Sequence, residues 1–151
     1  MLKIEIRPEA FDPLQEQGHY QQDALESAKY GATASFIGSM RDFNEGDEVT
    51  GMELEYYPGM TEKHLQMICD EACQWWAITD ILLLHRVGKI EIGDPIVLVC
   101  VWTSHRGDAF DACRFIMEDL KSKAPFWKKE QLVDGQRWVD CNTSGYSQKN
   151  D

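Results

Sequence analysis

The stretch "IVLVCVWTSHRGDAFDACRFIMEDLK", residues 96–121, joins an apolar strand to a helix that follows it almost at once. The continuous apolar run Ile96–Trp102 is typical of a strand buried on both faces. From about Gly107 to Lys121, apolar residues recur at helical spacing, and the acidic start and basic end suit the helix dipole. We expect Ser104 near the N-cap of this helix. A buried strand and a helix packed beside it are therefore the centre of the predicted fold.

The rest of the chain mixes strand-like and helix-like segments without a regular βαβ order. Alternation or apolar runs predict further strands at Leu2–Ile6, Ala32–Ile37, Met52–Tyr57 and Ile81–Val87. Short pairing is also expected between Gly88 and Pro95. Helical signals cover Gln21–Lys29 and a segment that Thr61 can cap. This order predicts one α+β domain over residues 1–151, with a largely antiparallel sheet, packed helices and a flexible tail after about residue 140.

The formal charge of −11 is distributed unevenly along the chain. Residues 1–80 hold 16 acidic and 5 basic side chains, whereas residues 81–151 hold 10 of each. No broad basic face is available to displace counterions from phosphates, which argues against a nucleic-acid partner. No apolar run reaches the length of a membrane span, and the N-terminus lacks the apolar core of a signal peptide. We therefore expect a cytoplasmic protein that meets anionic ligands through local clusters of positive charge.

The five cysteines form no Cys-x-x-Cys pair. Cys69 and Cys73 stand four apart on a predicted helix with His64 nearby, but these are too few ligands for a metal site. Buried thiols in a reducing compartment are the better interpretation. We expect neither a metal nor another cofactor.

Positive side chains are concentrated at four places: Arg41 in a glycine-flanked loop, His85-Arg86 at the end of a strand, His105-Arg106 at the start of a helix, and the lysines from Lys121 to Lys129. Each has an ordinary structural alternative, as a solvated charge, a strand-end ion pair or a complement to a helix dipole. His105-Arg106 is more suggestive, because free backbone N–H groups and the positive end of the helix dipole also lie there. Such a turn suits a phosphate or a carboxylate, although similar turns occur in proteins without ligands.

The segment "LKSKAPFWKKE", residues 120–130, sets lysines around a rigid aromatic turn. Pro125 prevents the helix from continuing, and Phe126 and Trp127 can anchor the turn against the core. Lys121 and Lys128 could then share a partly desolvated pocket, where burial and a neighbouring cation lower the pKa of a lysine. Such an amine suits proton transfer or attack on an acyl group. A basic hairpin with aromatic packing is the alternative that this segment leaves open.

Five fragments together resemble the large, catalytic subunit of molybdopterin synthase. In chain order they are "FIGSMRDFN" (36–44), "LEYYPGM" (54–60), "HRVG" (85–88), "SHR" (104–106) and "KSKAPFWKKE" (121–130). Their order and spacing match the family, and the combination is specific although no single fragment is. The resemblance implies a hammerhead-type α+β fold and a homodimer. It also implies a heterotetramer, in which each large subunit binds a small ubiquitin-like sulfur carrier.

The same resemblance implies an enzyme of molybdenum cofactor biosynthesis. The carrier's C-terminal Gly-Gly thiocarboxylate would enter a pocket of the large subunit. Two sulfurs would then be added to cyclic pyranopterin monophosphate, giving the dithiolene of molybdopterin. By resemblance, Lys121 and Lys128 are the catalytic residues. The residues expected to bind substrate are Ser39, Met40, Arg41, His105, Arg106, Lys129 and Glu130.

Some positions depart from the family pattern, and two other functions compete with this one. Ser39 stands where several relatives carry lysine, Tyr56 replaces a frequent histidine, and Lys123 stands where we expect arginine or another basic residue.

The first alternative is a module that docks a Gly-Gly tail without chemistry, although a tail alone needs no anion site such as His105 and Arg106 would form. The second is a phosphoester hydrolase, but no carboxylate–histidine cluster has the spacing for one.

Overall fold

The computed structural model describes residues 2–44, 47–133 and 135–139. Within them the chain forms three helices, which are α1 (Pro13–Ala24), α2 (Met60–Trp75) and α3 (Arg106–Lys123). The strands are β1 (Leu2–Arg7), β2 (Ala32–Ser39), β3 (Phe43–Asn44), β4 (Asp47–Tyr56), β5 (Ile78–Arg86), β6 (Gly88–Glu91), β7 (Pro95–Thr103), β8 (Phe126–Leu132) and β9 (Gly135–Trp138). The tail predicted to be flexible lies outside the described residues.

Strand β7, which contains the apolar run Ile96–Trp102, lies in the middle of the first sheet. This sheet has the order β1-β5-β7-β2, so β7 pairs with a strand on each side. Both of these pairings are antiparallel, whereas β1 joins the outer side of β5 in parallel. Every residue from Ile96 to Thr103 is buried, as the continuous apolar run predicts.

Helices cover both faces of the first sheet, which is why the central strands contain the apolar runs Ile81–Leu84 and Ile96–Trp102. On one face, α2 and α3 pack through residues such as Leu65, Ala112 and Ile116 onto Leu83 and Val99. The other face is covered by α1 and the segments beside it. There the buried cluster consists of Phe11, Leu82, Leu84, Leu98, Cys100 and Trp102, with Tyr20, Leu25 and Tyr30 packed against it.

A second sheet has the order β3-β4-β8-β9, with β6 also paired to β4. Its pairings are antiparallel, and Leu54, Ile90 and Val49 are buried in its own apolar cluster. Phe126, at the start of β8, packs against this cluster and against the helix-covered core of the first sheet. The predicted α+β class and the largely antiparallel pairing are confirmed, with β1–β5 as the parallel exception among the described strands.

The first helix is not where the sequence predicted it. Helix α1 ends at Ala24, so the predicted helix over residues 21–29 was wrong for all but its beginning. The true start has a strong local signal, because the Asp12 side chain accepts hydrogen bonds from Leu14 N and Gln15 N at 3.0 and 3.3 Å and Pro13 occupies the first turn. Ala28, with φ of 70°, is incompatible with a continuing helix.

Of three smaller predictions about termini, two were wrong. Gly59 and not Thr61 is the N-cap of α2, with its N–H donating to the carboxylate of Glu62. Ser104 directly precedes His105, the N-cap of α3, so the prediction that Ser104 lies near this cap is confirmed. The predicted Pro-Phe-Trp turn is shorter than expected, because Phe126 already begins β8.

Gly31 allows the backbone before β2 to approach the turn between β7 and α3. Its N–H donates to Thr103 O at 2.9 Å, and a Cβ at this position would lie 2.5 Å from the backbone oxygen of Ser104. Since backbone cannot yield as a side chain can, we expect Gly31→Ala to lower the free energy of unfolding by about 1–3 kcal/mol. Denaturant unfolding measures the change.

The matched control is Gly18→Ala, in the interior of α1. A Cβ at Gly18 meets nothing within 4 Å, so alanine should stabilise the helix by about 0.5–1 kcal/mol. Equal effects of the two substitutions would contradict the close approach at Gly31.

Candidate active site

Lys121 and Lys128 line one cavity at the C-terminal end of α3, and we call this cavity the lysine pocket. Its volume is about 270 Å³. The residues that line it are Lys121, Ser122, Ala124, Pro125, Phe126, Trp127, Lys128 and Val139. The structure therefore brings together the two lysines that the sequence singles out as catalytic.

The pocket forms because the chain reverses direction directly after α3. Helix α3 ends at Lys123, and Pro125 cannot continue it. The Thr61 hydroxyl, buried at the start of α2, donates to Pro125 O at 3.0 Å and so ties the reversal to a second helix. Beyond it, β8 pairs with β4, which fixes Lys128 opposite Leu54. Two helices and a sheet thus hold the lysines, although only a short loop separates α3 from β8.

The pocket changes the acidity of Lys121. Burial lowers the pKa of its ammonium to about 7, and the charge of Lys128 acts in the same direction. Both causes disfavour a second positive charge in a partly dry space. Near neutral pH, Lys121 is therefore divided between the ammonium and the free amine, which lets it both donate and accept a proton.

His85 lies under the pocket, and sequence reasoning did not include it among the site residues. Its ring is 2% exposed and stacks on Phe126, with 3.9 Å between ring centroids and 14° between planes. Nδ1 lies 2.8 Å from Arg86 O, so this nitrogen carries the hydrogen and donates it. The pKa of His85 is lowered to about 3, mainly by burial and also by the charges of Lys121 and Lys128, while the hydrogen bond to Arg86 O acts in the opposite direction. The position of "HRVG" at the end of a buried strand was the available signal.

Ser39, Met40 and Arg41 lie at the same end of the first sheet as the lysine pocket. Strand β7 runs from Pro95 to Thr103 and α3 returns alongside it, so the end of α3 lies near the start of β7. Ser39 pairs with Pro95 at that start. Met40 is buried, while Ser39 and Arg41 are exposed. Arg41 thus lies on the pocket side of the protein, and its contact with substrate stays a prediction.

His105 and Arg106 lie at the opposite end of α3, and both are exposed. From Arg106 to Lys121 the helix rises about 22 Å, at 1.5 Å per residue. Within one chain, the predicted anion-binding pair and the lysine pocket are therefore too far apart to contact one small substrate together.

Lys129 and Glu130 occupy opposite faces of β8. Glu130 shares the inner face with Phe126 and Lys128, is 3% exposed and has Oε2 3.9 Å from Arg137 Nη2. The Lys129 ammonium instead lies 5.4 Å from the ring centroid of Trp138 on β9. Neither lines the lysine pocket as described, so their substrate contacts stay a prediction.

No group of His, Cys, Asp and Glu side chains in the described part of the chain is arranged to hold a metal ion. Cys69, Cys100 and Cys113 are buried, as predicted, and burial raises the pKa of each thiol. Cys73 is exposed, so that prediction was wrong there, and Cys141 lies outside the described residues. Among the described helices, none is long and apolar enough to cross a membrane.

The fold and the pocket define an α+β protein in which two lysines meet at a helix end, one of them with an amine that can transfer a proton near pH 7. The sequence also matches a known protein family. The family model described as "MoaE protein" matches residues 10–123. The chain belongs to this family.

Curated relatives carry the name molybdopterin synthase catalytic subunit. The protein from Pseudomonas aeruginosa is 47% identical over 152 aligned positions, covering 98% of each chain. The one from Ralstonia nicotianae is 60% identical over 114 residues, which cover 76% of this chain and 65% of that relative. The solved MoaE structure from Burkholderia ambifaria is 46% identical, covers 95% of this chain and 92% of its own, and superposes with a TM-score of 0.77. The α+β fold of hammerhead type that the resemblance implied is thus confirmed.

Proposed function

We propose that this chain is the subunit of a molybdopterin synthase that carries out sulfur transfer. It takes sulfur from the thiocarboxylated C-terminus of a small ubiquitin-like carrier and adds it to cyclic pyranopterin monophosphate, forming the dithiolene of molybdopterin. The observation that carries the proposal is the lysine pocket, with the pKa of Lys121 lowered to about 7 beside Lys128, in a member of the MoaE family. The small carrier subunit and a cytoplasmic location belong to the same proposal.

A thiocarboxylate tail suits this pocket in charge and in shape. Its negative charge would be neutralised by the two amines, and an extended Gly-Gly segment is narrow enough for a cavity of about 270 Å³. Binding the anion would favour the ammonium form of Lys121, because an opposite charge nearby raises the pKa of a lysine. Lys121 would then hold a proton next to the reacting acyl group.

In the proposed reaction, sulfur of the thiocarboxylate attacks a substrate carbon and a carbon–oxygen bond at that carbon breaks, which links carrier and pterin through a thioester. At one carbon the departing oxygen stays on phosphorus, which opens the cyclic phosphate, and at the other the oxygen takes up a proton and leaves as water. Water then attacks the acyl carbon, and the C–S bond breaks so that sulfur stays on the pterin and the carrier leaves as a carboxylate. Lys121 would donate its proton to the departing sulfur, and Lys128 would stabilise the negative charge of the tetrahedral species. A second carrier repeats the sequence to supply the second sulfur.

Lys121 and Arg106 could contribute to the same site if two copies of the chain meet along β2. This strand forms an edge of the first sheet, since among the described strands it pairs only with β7. A groove beside it contains Phe36 and Phe110, which are 41% and 67% exposed. A two-fold axis there would run the two β2 strands antiparallel. The Arg106 end of one copy would then lie beside the Lys121 end of the other.

The two arginines should act on the pterin substrate and not on the carrier. Because a hydrogen bond to a charged group contributes about 1.5–3 kcal/mol, Arg41→Ala or Arg106→Ala should weaken binding of cyclic pyranopterin monophosphate by about 10- to 100-fold. Calorimetry with substrate measures this loss. Carrier affinity is the internal control, since the tail meets the lysines. Lost carrier affinity with unchanged substrate affinity would reverse the assignment.

A module that only docks the carrier tail is the competing function, and the carrier itself distinguishes the two. Mass spectrometry of the carrier after incubation with the chain and substrate should show conversion of thiocarboxylate to carboxylate. The conversion should require all three components. A carrier that binds tightly and keeps its sulfur, whatever pterin is added, would support docking without chemistry.

A further inference from the structure

The buried ring of His85 occupies a position that neither the sequence resemblance nor the proposed reaction explains. It lies at the end of β5, and its neighbours on the adjoining strands, Ile6 on β1 and Val97 on β7, are apolar. A polar ring in such a place needs a reason, because burying an imidazole without compensation is unfavourable. One nitrogen has a clear partner, since Nδ1 donates to Arg86 O at 2.8 Å.

The stacking contact connects this ring to the lysine pocket. Phe126, whose ring centroid lies 3.9 Å from that of His85, also lines the pocket together with Lys121 and Lys128. We propose that His85 is a positioning residue of the sulfur-transfer site, whose ring supports Phe126 as the wall that keeps water from Lys121. The hydrogen bond to the Arg86 carbonyl holds the plane of the imidazole, and the stack transmits that orientation to Phe126.

A neutral ring is required at this place. Lys121 from α3 and Lys128 from β8 are the charged groups that act on His85 from the elements packed on it, and Arg86 follows it in β5. A third positive charge would oppose both lysines, whereas a carboxylate would raise the pKa of Lys121 and hold it as an ammonium. Because burial is the main cause of the low pKa of Lys121, the pocket wall has a direct chemical consequence.

Two substitutions separate the ring from its hydrogen bond. His85→Asn keeps a donor near the position of Nδ1 but removes the ring, so Phe126 loses its support and water reaches Lys121. We expect the titration midpoint of Lys121, followed by NMR of the lysine side chains, to rise by about one pH unit or more. His85→Phe keeps an aromatic ring under Phe126 and should leave the midpoint close to that of the unmodified protein. His19→Asn, on the exposed side of α1, is the matched control.

The titration distinguishes positioning from a merely structural role. A structural role would lower the melting temperature without moving the midpoint of Lys121, and an unchanged midpoint in folded His85→Asn overturns the proposal. If His85→Asn does not fold, Phe126→Leu removes the same wall from the pocket side and must raise the midpoint as well, with an unchanged value again overturning it. The proposal rests on the proposed function only in naming the site. Because the titration needs neither carrier nor substrate, its failure is distinguishable from a failure of sulfur transfer.

Discussion

Lys121→Ala should reduce formation of the dithiolene product by at least about 10²-fold, since general acid–base and electrostatic roles are typically worth 10²–10⁴-fold each. The reason is that Lys121 is the group in the pocket whose pKa, about 7, allows it to give and take a proton under working conditions. Single-turnover measurements with saturating carrier isolate this step from carrier binding.

The variant should remain folded, because the native ammonium is held in an unfavourable place. Lys121 has a pKa of about 7 when folded and a usual value of 10.5. The unfolded chain therefore binds more protons between these two pH values, and stability rises with pH across that window. Below about pH 7 the destabilising effect of the buried charge is complete, and above about pH 10.5 it is absent. Replacing Lys121 should consequently be tolerated best at low pH.

Lys121→Arg tests whether charge alone is sufficient. A guanidinium keeps the positive charge but does not release its proton near neutral pH, so rescue should be poor. Lys29→Ala, at an exposed lysine on another part of the surface, is the control and should behave like the unmodified protein. Near-normal turnover by Lys121→Ala would remove its catalytic role and make Lys128 the better candidate.

Mixing Lys121→Ala with Arg106→Ala protein should restore activity that neither variant has alone at limiting substrate. If the two residues meet across the dimer, each mixed dimer contains one site with both substitutions and one site with neither. Random exchange of subunits makes half of the dimers mixed, so roughly a quarter of the activity should return in an isologous dimer. Sedimentation at micromolar concentration should show the dimer before any carrier is added.

A site formed within a single chain would give a different result in the subunit-mixing experiment. If Lys121 and Arg106 served one site within a single chain, every site in a mixed dimer would carry one substitution and no activity would return. Absence of recovery after proven subunit exchange would contradict the arrangement along β2, as would a stable monomer at micromolar concentration.

The parts of the fold that sequence predicted well are those with strong periodic signals. The run Ile96–Trp102 and the helix after it lie where their patterns placed them, because long apolar segments have few alternative locations in a small protein. The first helix was misplaced because its outer face is polar and weakly periodic, so the decisive signal was the cap at Asp12 and not the pattern. The parallel pairing of β1 with β5 depends on contacts between distant segments, which no local pattern contains.

The sequence predicted the cations of the candidate site but not the residues that hold them in place. Lys121 and Lys128 are recognisable because they flank Pro125 at short spacing. His85 was visible as part of a positive pair, but its position beneath Phe126 depends on how β5 and β8 come together. The same holds for Thr61, which was predicted as a cap and instead donates a hydrogen bond to Pro125 O. The distance between Arg106 and the lysines follows from helix length once α3 is known.

Reconstitution from purified components tests whether this chain carries out sulfur transfer. The chain is mixed with thiocarboxylated carrier and cyclic pyranopterin monophosphate, and the dithiolene product is measured against the carrier consumed. We expect product only when all three components are present, with two carriers consumed for each dithiolene formed and almost no dithiolene formed by Lys121→Ala. Stoichiometric binding of the carrier by the unmodified chain without any dithiolene product would contradict it.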